Sequence, residues 1–381
     1  MAIKTKVGAS LIILALGAAA LAYQWPPCSG VRGCYQLLTR IEDGRTRADD
    51  HRHVLMSHFA ASSAAIVFSV AVDDRSVGLV VIDRHSSTQR LIVESSAHFG
   101  SPYLSPDGQR LVMVKSSFET PQRQVLSCQT ATWRCTVLLH TENSVFSPVE
   151  IDKNTILFSS SPAFIRSDGG RRYFQYDLYL AKKGAAPVRL TDFKLSELGW
   201  LSMFNNQIVF GASGGSHHPA LPEYKLNQTE IYSVNYDPQR RQVLQETPPL
   251  KSLFQMSTYS IRPSVSADGR RIAFENVEIV KGGRYRYDMA IATLDGNLQQ
   301  RVKLEGIEFS RGAFVADTLI FNELFKDHYR VRQLDLAKGS VADILTIDHS
   351  GQAFENLDRI KLQFEDDSVR PQTHAMRSSL D

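Results

Sequence analysis

Hydrophobic residues in this chain gather in short runs that recur at long intervals. IVFSV begins at Ile66, LVMVK at Leu111, ILFSS at Ile156, IVFGA at Ile208, IAFEN at Ile272 and LIFNE at Leu319. The intervals between these starts are 45, 45, 52, 64 and 47 residues. Each run is short and rich in Val, Ile and Phe, the composition of a buried strand and not of a helix. In the third to sixth copies a second alternating segment follows after a loop: Tyr176–Leu180 with PVRLTD from Pro187, Glu230–Val234, Tyr287–Ile291 with Leu294-Asp295-Gly296, and Arg330–Leu334. A period near 45 residues with about four short strands per unit is what a β-propeller requires. No segment after Ala22 carries a long helical period. The expectation is an all-β chain: six four-stranded blades around a central channel.

Two copies share a turn as well as an apolar run. Ser101–Ser116 reads SPYLSPDGQRLVMVKS and Arg262–Asn276 reads RPSVSADGRRIAFEN. Asp107, Gly108, Asp268 and Gly269 are expected to be structural turn residues joining adjacent strands of a blade. Asp hydrogen-bonds its own backbone and Gly accepts positive φ. The competing role, a calcium ligand at Asp107 or Asp268, is weaker, because calcium needs several oxygens converging on one place. SPDGQRLVMV and SADGRRIAFE resemble the WD40-like PD40 repeat of the TolB-like six-bladed propellers, and PVRLTDF resembles the ending of such a blade. The resemblance covers about residues 54–362. Two repeats match well, four match in their apolar core, and the 64-residue interval departs from the pattern by carrying a long loop. The resemblance implies a propeller that scaffolds interactions of cell-envelope complexes. It names a fold superfamily, not an activity.

The chain ends read differently from its body. Lys4 and Lys6 precede an uncharged stretch from Val7 to Ala22. Residues 1–22 fit a secretory signal peptide cleaved after Ala22. They also fit an uncleaved anchor in the inner membrane formed by residues 7–23, although such a helix rises only about 24 Å against a hydrocarbon core of about 30 Å. Both readings place the rest of the chain across the membrane, in a periplasm, either soluble or anchored. Trp25-Pro26-Pro27 ahead of Cys28 is not a lipobox. Residues 23–53 form a Cys-containing segment and a charged linker, 54–365 the propeller, and 366–381 a polar tail. Cys34–Leu38 and Ile360–Phe364 each alternate enough to help close the ring, and the C-terminal segment is favoured.

The four cysteines form two close pairs, Cys28 with Cys34 and Cys128 with Cys135. Four cysteines allow three connectivities, of which nearest-neighbour pairing is the simplest. A Cys128–Cys135 bridge across a hairpin would close a short loop worth about 2–3 kcal/mol in the chain-entropy model. Zinc is disfavoured because the spacings are C-x5-C and C-x6-C with no histidine pair to complete a tetrahedral set.

Composition narrows the functional classes. The chain has 381 residues, is 43% hydrophobic and 22% charged, and carries a net charge of +3. That balance is globular, and its scattered Lys and Arg leave no footprint for nucleic acid. No P-loop or H-E-x-x-H helix is present. The ring consumes about 310 residues, which leaves too little chain for a second catalytic core.

Candidate binding residues lie in three loops that interrupt the repeat. The third unit carries SPAFIRSDGGRRYFQYD with Arg166, Arg171, Arg172 and Tyr173; the fourth carries GASGGSHHPALPEYKLNQ with His217, His218 and Tyr224. The fifth carries KGGRYRYD with Arg284, Tyr285 and Arg286. Equivalent loops crowd one rim of a propeller, and Arg and Tyr are enriched at protein interfaces. The plain alternative is that they are solvated hairpin tips. His51, His53 and His58 read as surface histidines. The expectation is a non-catalytic module with a protein or envelope partner and no cofactor. The alternative is a propeller lactonase, other hydrolase or lyase acting on a small molecule or glycan in the channel, around a central calcium in the lactonase form. The inner-strand stretches offer Glu150 and few other acids toward that second role.

Overall fold

The computed structural model describes residues 54–73, 75–165, 171–172, 175–195, 197–213, 229–240, 242–243, 251–252, 259–280, 284–306, 308–309, 311–325, 328–348, 354 and 356–364. All belong to one compact unit, Asp50–Asp381; the other, Met1–Asp49, lies outside the described residues.

The named elements of the described chain are all strands, arranged as successive antiparallel meanders. The first contains β1 (Val54–Ala61), β2 (Ala65–Asp73), β3 (Ser76–Asp83) and β4 (Gln89–Ile92), and the second β5 (Ala97–Leu104), β6 (Arg110–Ser117), β7 (Arg123–Gln129) and β8 (Arg134–Thr141). A single parallel bridge, Val77 to His98, joins these two into one sheet. The third contains β9 (Phe146–Asp152) and β10 (Thr155–Ser160), then a separate small hairpin of β11 (Phe164–Ile165) and β12 (Arg171–Arg172), then β13 (Asp177–Lys182) and β14 (Val188–Arg189). The fourth contains β15 (Glu197–Phe204), β16 (Gln207–Ser213) and β17 (Thr229–Asp237), with β18 (Gln242–Val243) and β19 (Lys251–Ser252) both paired to β17. The fifth is β20 (Tyr259–Val265), β21 (Arg271–Val280), β22 (Arg284–Thr293) and β23 (Leu298–Lys303). The last is β24 (Glu308–Phe309), β25 (Ala313–Val315), β26 (Thr318–Leu324), β27 (His328–Asp335) and β28 (Val341–Asp348).

The recurring apolar runs occupy the second main strand of each meander, which is hydrogen-bonded on both sides and packed on both faces. That position explains why they read as continuous apolar runs and not as alternation. The third residue of each run is Phe68, Met113, Phe158, Phe210, Phe274 or Phe321, and every one is fully buried. Burying one such side chain contributes about 1.5–3 kcal/mol.

The apolar clusters lie between meanders. They join first to second, second to third, third to fourth, fourth to fifth and fifth to last. A further cluster joins the last back to the first, placing Phe68 against Tyr329 with ring centroids 5.1 Å apart. The strands that open the meanders touch in the same circular order, β1 to β5, β9, β15, β20, β25 and again β1. Sheets packed face to face in a closed circle make a propeller arrangement.

The C-terminal segment takes part, as an outer strap. β29 (Asp358–Arg359) pairs in parallel with β4, and β30 (Gln363–Phe364) pairs in parallel with β8. It therefore adds to the outer edges of the first two meanders and contributes no strand to the last. Cys34–Leu38, the other segment considered for closure, lies outside the described residues.

Candidate functional site

The two Ser-x-Asp-Gly turns are superimposable in their bonding. Ser105 Oγ donates to Asp107 Oδ1 at 2.5 Å, and Gln109 N donates to the same oxygen at 3.0 Å. Ser266 Oγ donates to Asp268 Oδ1 at 2.6 Å, and Arg270 N donates to it at 3.0 Å. The serine hydroxyl, then the backbone N–H, holds each carboxyl below the ordinary aspartate value. Gly108 and Gly269 have φ of 70° and 66°. Both also pack closely: a Cβ on Gly108 would lie 2.6 Å from Ser62 Oγ, and one on Gly269 would lie 1.9 Å from the Phe204 ring. Each turn leans on the corresponding turn of the preceding meander, so the repeat encodes contact between meanders as well as a bend.

A second repeated device was not anticipated from the sequence. Ser101, Ser147, Trp200 and Arg262 all have positive φ, between 47° and 58°. Each sits at a register shift in the strand that opens its meander. These bulges re-aim the side chains along the inner strands. Three of the four residues precede a proline, Pro102, Pro148 or Pro263. A proline inside a strand marks an edge or a bulge, so the signal was present in the stretches SPYLS, SPVEI and RPSVS.

Polar groups from separate meanders also meet across the circle. Arg311, just ahead of β25, donates from Nη2 to the Leu201 carbonyl at 2.6 Å and to Ser202 Oγ. It thus reaches from the last meander to the fourth, past β20. Its guanidinium is held at about 10 by burial, against the opposing influence of Tyr103. Tyr103, on β5, is pushed up to about 12 by burial and then by the Glu150 charge, with Arg311 and Arg110 acting the other way. Glu150, the acid singled out on an inner strand, accepts from Arg110 Nε at 2.6 Å. Trp200 N donates to Ser147 Oγ at 2.8 Å, and Arg262 pairs with buried Glu275 at 2.9 Å. Tyr103, Glu150, Arg110 and Arg311, from the second, third and last meanders, therefore influence one another electrostatically, and Arg311 ties them to the fourth.

The loop residues proposed for binding fall at hairpin ends. Arg171 and Arg172 form β12, paired with Ile165 and Phe164. Arg284, Tyr285 and Arg286 open β22 opposite Val280, Ile279 and Glu278. Both hairpins lie in the connection between the second and third main strands of their meanders. Arg166, Tyr173, His217, His218 and Tyr224 lie outside the described residues, as do Cys28 and Cys34. Cys128 and Cys135 are joined by a disulfide across directly paired positions of β7 and β8.

No family model matches the chain. No curated protein matches it in sequence. Among solved structures, TolB from Acinetobacter baumannii aligns with a TM-score of 0.55 at 15% identity, covering 74% of this chain and 63% of that one. An acylaminoacyl peptidase from Pyrococcus horikoshii aligns with a TM-score of 0.47 at 13% identity, covering 78% of this chain and 47% of the peptidase. A putative TolB from Agrobacterium tumefaciens aligns at 0.46 and 14% identity, covering 72% and 90%. The chain thus spans less than two thirds of the first two structures. The likeness to the Acinetobacter TolB establishes the fold alone: this chain is an all-β propeller.

Proposed function

We propose that this protein is a six-bladed propeller acting as a non-catalytic binding module in the periplasm, where it takes a protein or another envelope component on one face. The blade count is supported by the six meanders and by the circular succession of apolar clusters that returns from Tyr329 to Phe68. The location is supported by the basic and then apolar sequence before Ala22 and by the Cys128–Cys135 disulfide, a bond of oxidising compartments. In this reading the chain is soluble after cleavage or held in the inner membrane by residues 7–23.

One observation carries the binding role: two arginine pairs, Arg171–Arg172 and Arg284–Arg286, stand at the ends of equivalent second-to-third-strand hairpins. In a propeller those connections share a face, and the long fourth-blade loop with His217, His218 and Tyr224 belongs to the same set. Crosslinking in intact cells, from reactive groups placed in these loops, tests the reading. One or a few envelope proteins captured through the loops support it; no captured protein contradicts it.

A catalytic reading has its own observation, the electrostatic influence of Glu150, Arg311 and Arg110 on the buried Tyr103 phenol. A phenol beside a carboxylate and two guanidiniums offers proton transfer and anion stabilisation to a small molecule. Turnover of an ester, lactone or glycan panel that disappears in Tyr103→Phe would favour it over the binding role.

A further inference from the structure

The strap and the disulfide meet. β30 pairs with the strand that carries the disulfide, Phe364 opposite Cys135 and Gln363 opposite Arg134. Gln363 N donates to the Trp133 carbonyl at 2.9 Å. Trp133 lies in the turn that the disulfide closes and has φ of 57°, an unfavourable conformation for a bulky residue. Cys128, Cys135, Trp133 and Ile360 are all buried in one apolar cluster, with Leu362 packed against it. Ile360 N donates to the Leu91 carbonyl at 2.8 Å. The disulfide is therefore buried in an apolar cluster that Ile360 and Leu362 of the strap help to form, and the strap lands on the backbone that the sulfur bridge holds in place.

The strap also holds a distinct position in the ring. The last and first meanders meet through side-chain packing, with Phe68 on Tyr329. The chain that leaves β28 then crosses to β4 and β8 and hydrogen-bonds to both. Among the described residues, its hold on those two edges is a main-chain fastening of the end of the ring to its beginning.

We propose that strap and disulfide form a redox-sensitive clasp on the ring: the strap shields Cys128–Cys135 from reductants, and reducing that bond releases the strap from β8. In the reduction a dithiol attacks one Sγ, passes through a mixed disulfide and leaves oxidised as its own disulfide. The Cys128 and Cys135 sulfurs together take up two electrons and two protons. With the covalent link gone, the Trp133 turn relaxes from its positive φ and its carbonyl no longer faces the Gln363 amide. Linkage makes the coupling reciprocal: whatever lifts the strap speeds reduction, and reduction weakens the strap.

Hydrogen exchange of the full chain tests one direction, comparing the native protein with Cys128→Ser/Cys135→Ser, or with dithiothreitol-reduced protein should that variant not fold. The clasp predicts that the Ile360 and Gln363 amides exchange about tenfold faster while the β10 amides keep their protection. Unchanged strap amides overturn it, and so does an equal loss of protection in β10, which would mean global loosening. Gln363→Pro, which removes the donor to Trp133, tests the other direction. Dithiothreitol should reduce Cys128–Cys135 about tenfold faster in that variant; an unchanged rate overturns the shielding.

Discussion

Thr191 Oγ1 donates to Asp177 Oδ1 at 2.8 Å, and this bond explains why the third repeat ends in RLTD. Asp177 begins β13 and is buried, and Phe193 N donates to the same oxygen at 2.5 Å. The Arg189 guanidinium reaches its other oxygen, also at 2.5 Å. Thr191 in turn accepts from Leu178 N at 3.0 Å. The chain leaving β14 is pinned to the start of β13 by one carboxylate. Asp177→Ala leaves several donors without their acceptor and should destabilise the protein by about 2–4 kcal/mol, with Thr191→Val costing about 1–2 kcal/mol. Urea midpoints at an unchanged m-value measure both.

Gly269 and Gly184 separate backbone strain from packing. Both have positive φ, 66° and 74°, yet a Cβ at Gly184 meets nothing within 4 Å whereas one at Gly269 strikes the Phe204 ring. Gly184→Ala should cost about 1–2 kcal/mol from backbone conformation alone. Gly269→Ala should cost clearly more, and Phe204→Ala in the same chain should recover part of the difference. Thermal unfolding of the three variants checks the order.

Phe158 tests the packing between the second and third meanders. It is fully buried and stacks on Tyr179 at 5.8 Å. Phe158→Ala should cost about 3–5 kcal/mol, the transfer of a phenyl ring plus the cavity it leaves. A chemical-denaturation loss under 1 kcal/mol would mean that the repeated phenylalanines are not the glue between blades.

Asp107 and Asp268 give an acid-side signature. Their folded pKa values lie below the ordinary value of 3.8, through the Ser105 and Ser266 hydroxyls first and the backbone N–H groups second. A depressed carboxyl contributes stability that is present above the unfolded pKa and is lost as pH falls through the folded one. Stability should therefore drop as pH is lowered below about 4. Asp107→Asn/Asp268→Asn, which keeps an acceptor oxygen but cannot ionise, should flatten part of that drop by lowering the neutral-pH plateau towards the acid-side stability. Melting temperatures from pH 2.5 to 7 provide the comparison.

Much of this architecture was written plainly in the chain. A run such as ILFSS must be buried on both faces, and its recurrence led directly to the second strand of each meander. SPDG and SADG carried their turn geometry residue by residue, and Cys128 and Cys135 were close enough to imply a hairpin bridge. Other features were harder to see because they depend on distant partners. Ser101 and Arg262 looked like ordinary strand residues until the prolines after them proved to mark bulges. Arg311 gives no local sign that it reaches Leu201, 110 residues away. The strap was foreseen as part of the ring, but two-residue strands that pair in parallel with β4 and β8 leave no periodicity to read.

Whether the hairpin face binds a partner is decided by one comparison. Full-length protein and the Arg171→Ala/Arg172→Ala/Arg284→Ala/Arg286→Ala variant would be crosslinked in intact cells at matched expression. If that face binds, the variant loses capture while its melting temperature stays within about 2 °C, since substitutions at surface positions typically alter stability by less than about 0.5 kcal/mol each. Capture that persists undiminished in a stably folded variant would contradict it, and the arginines would then be solvated hairpin tips.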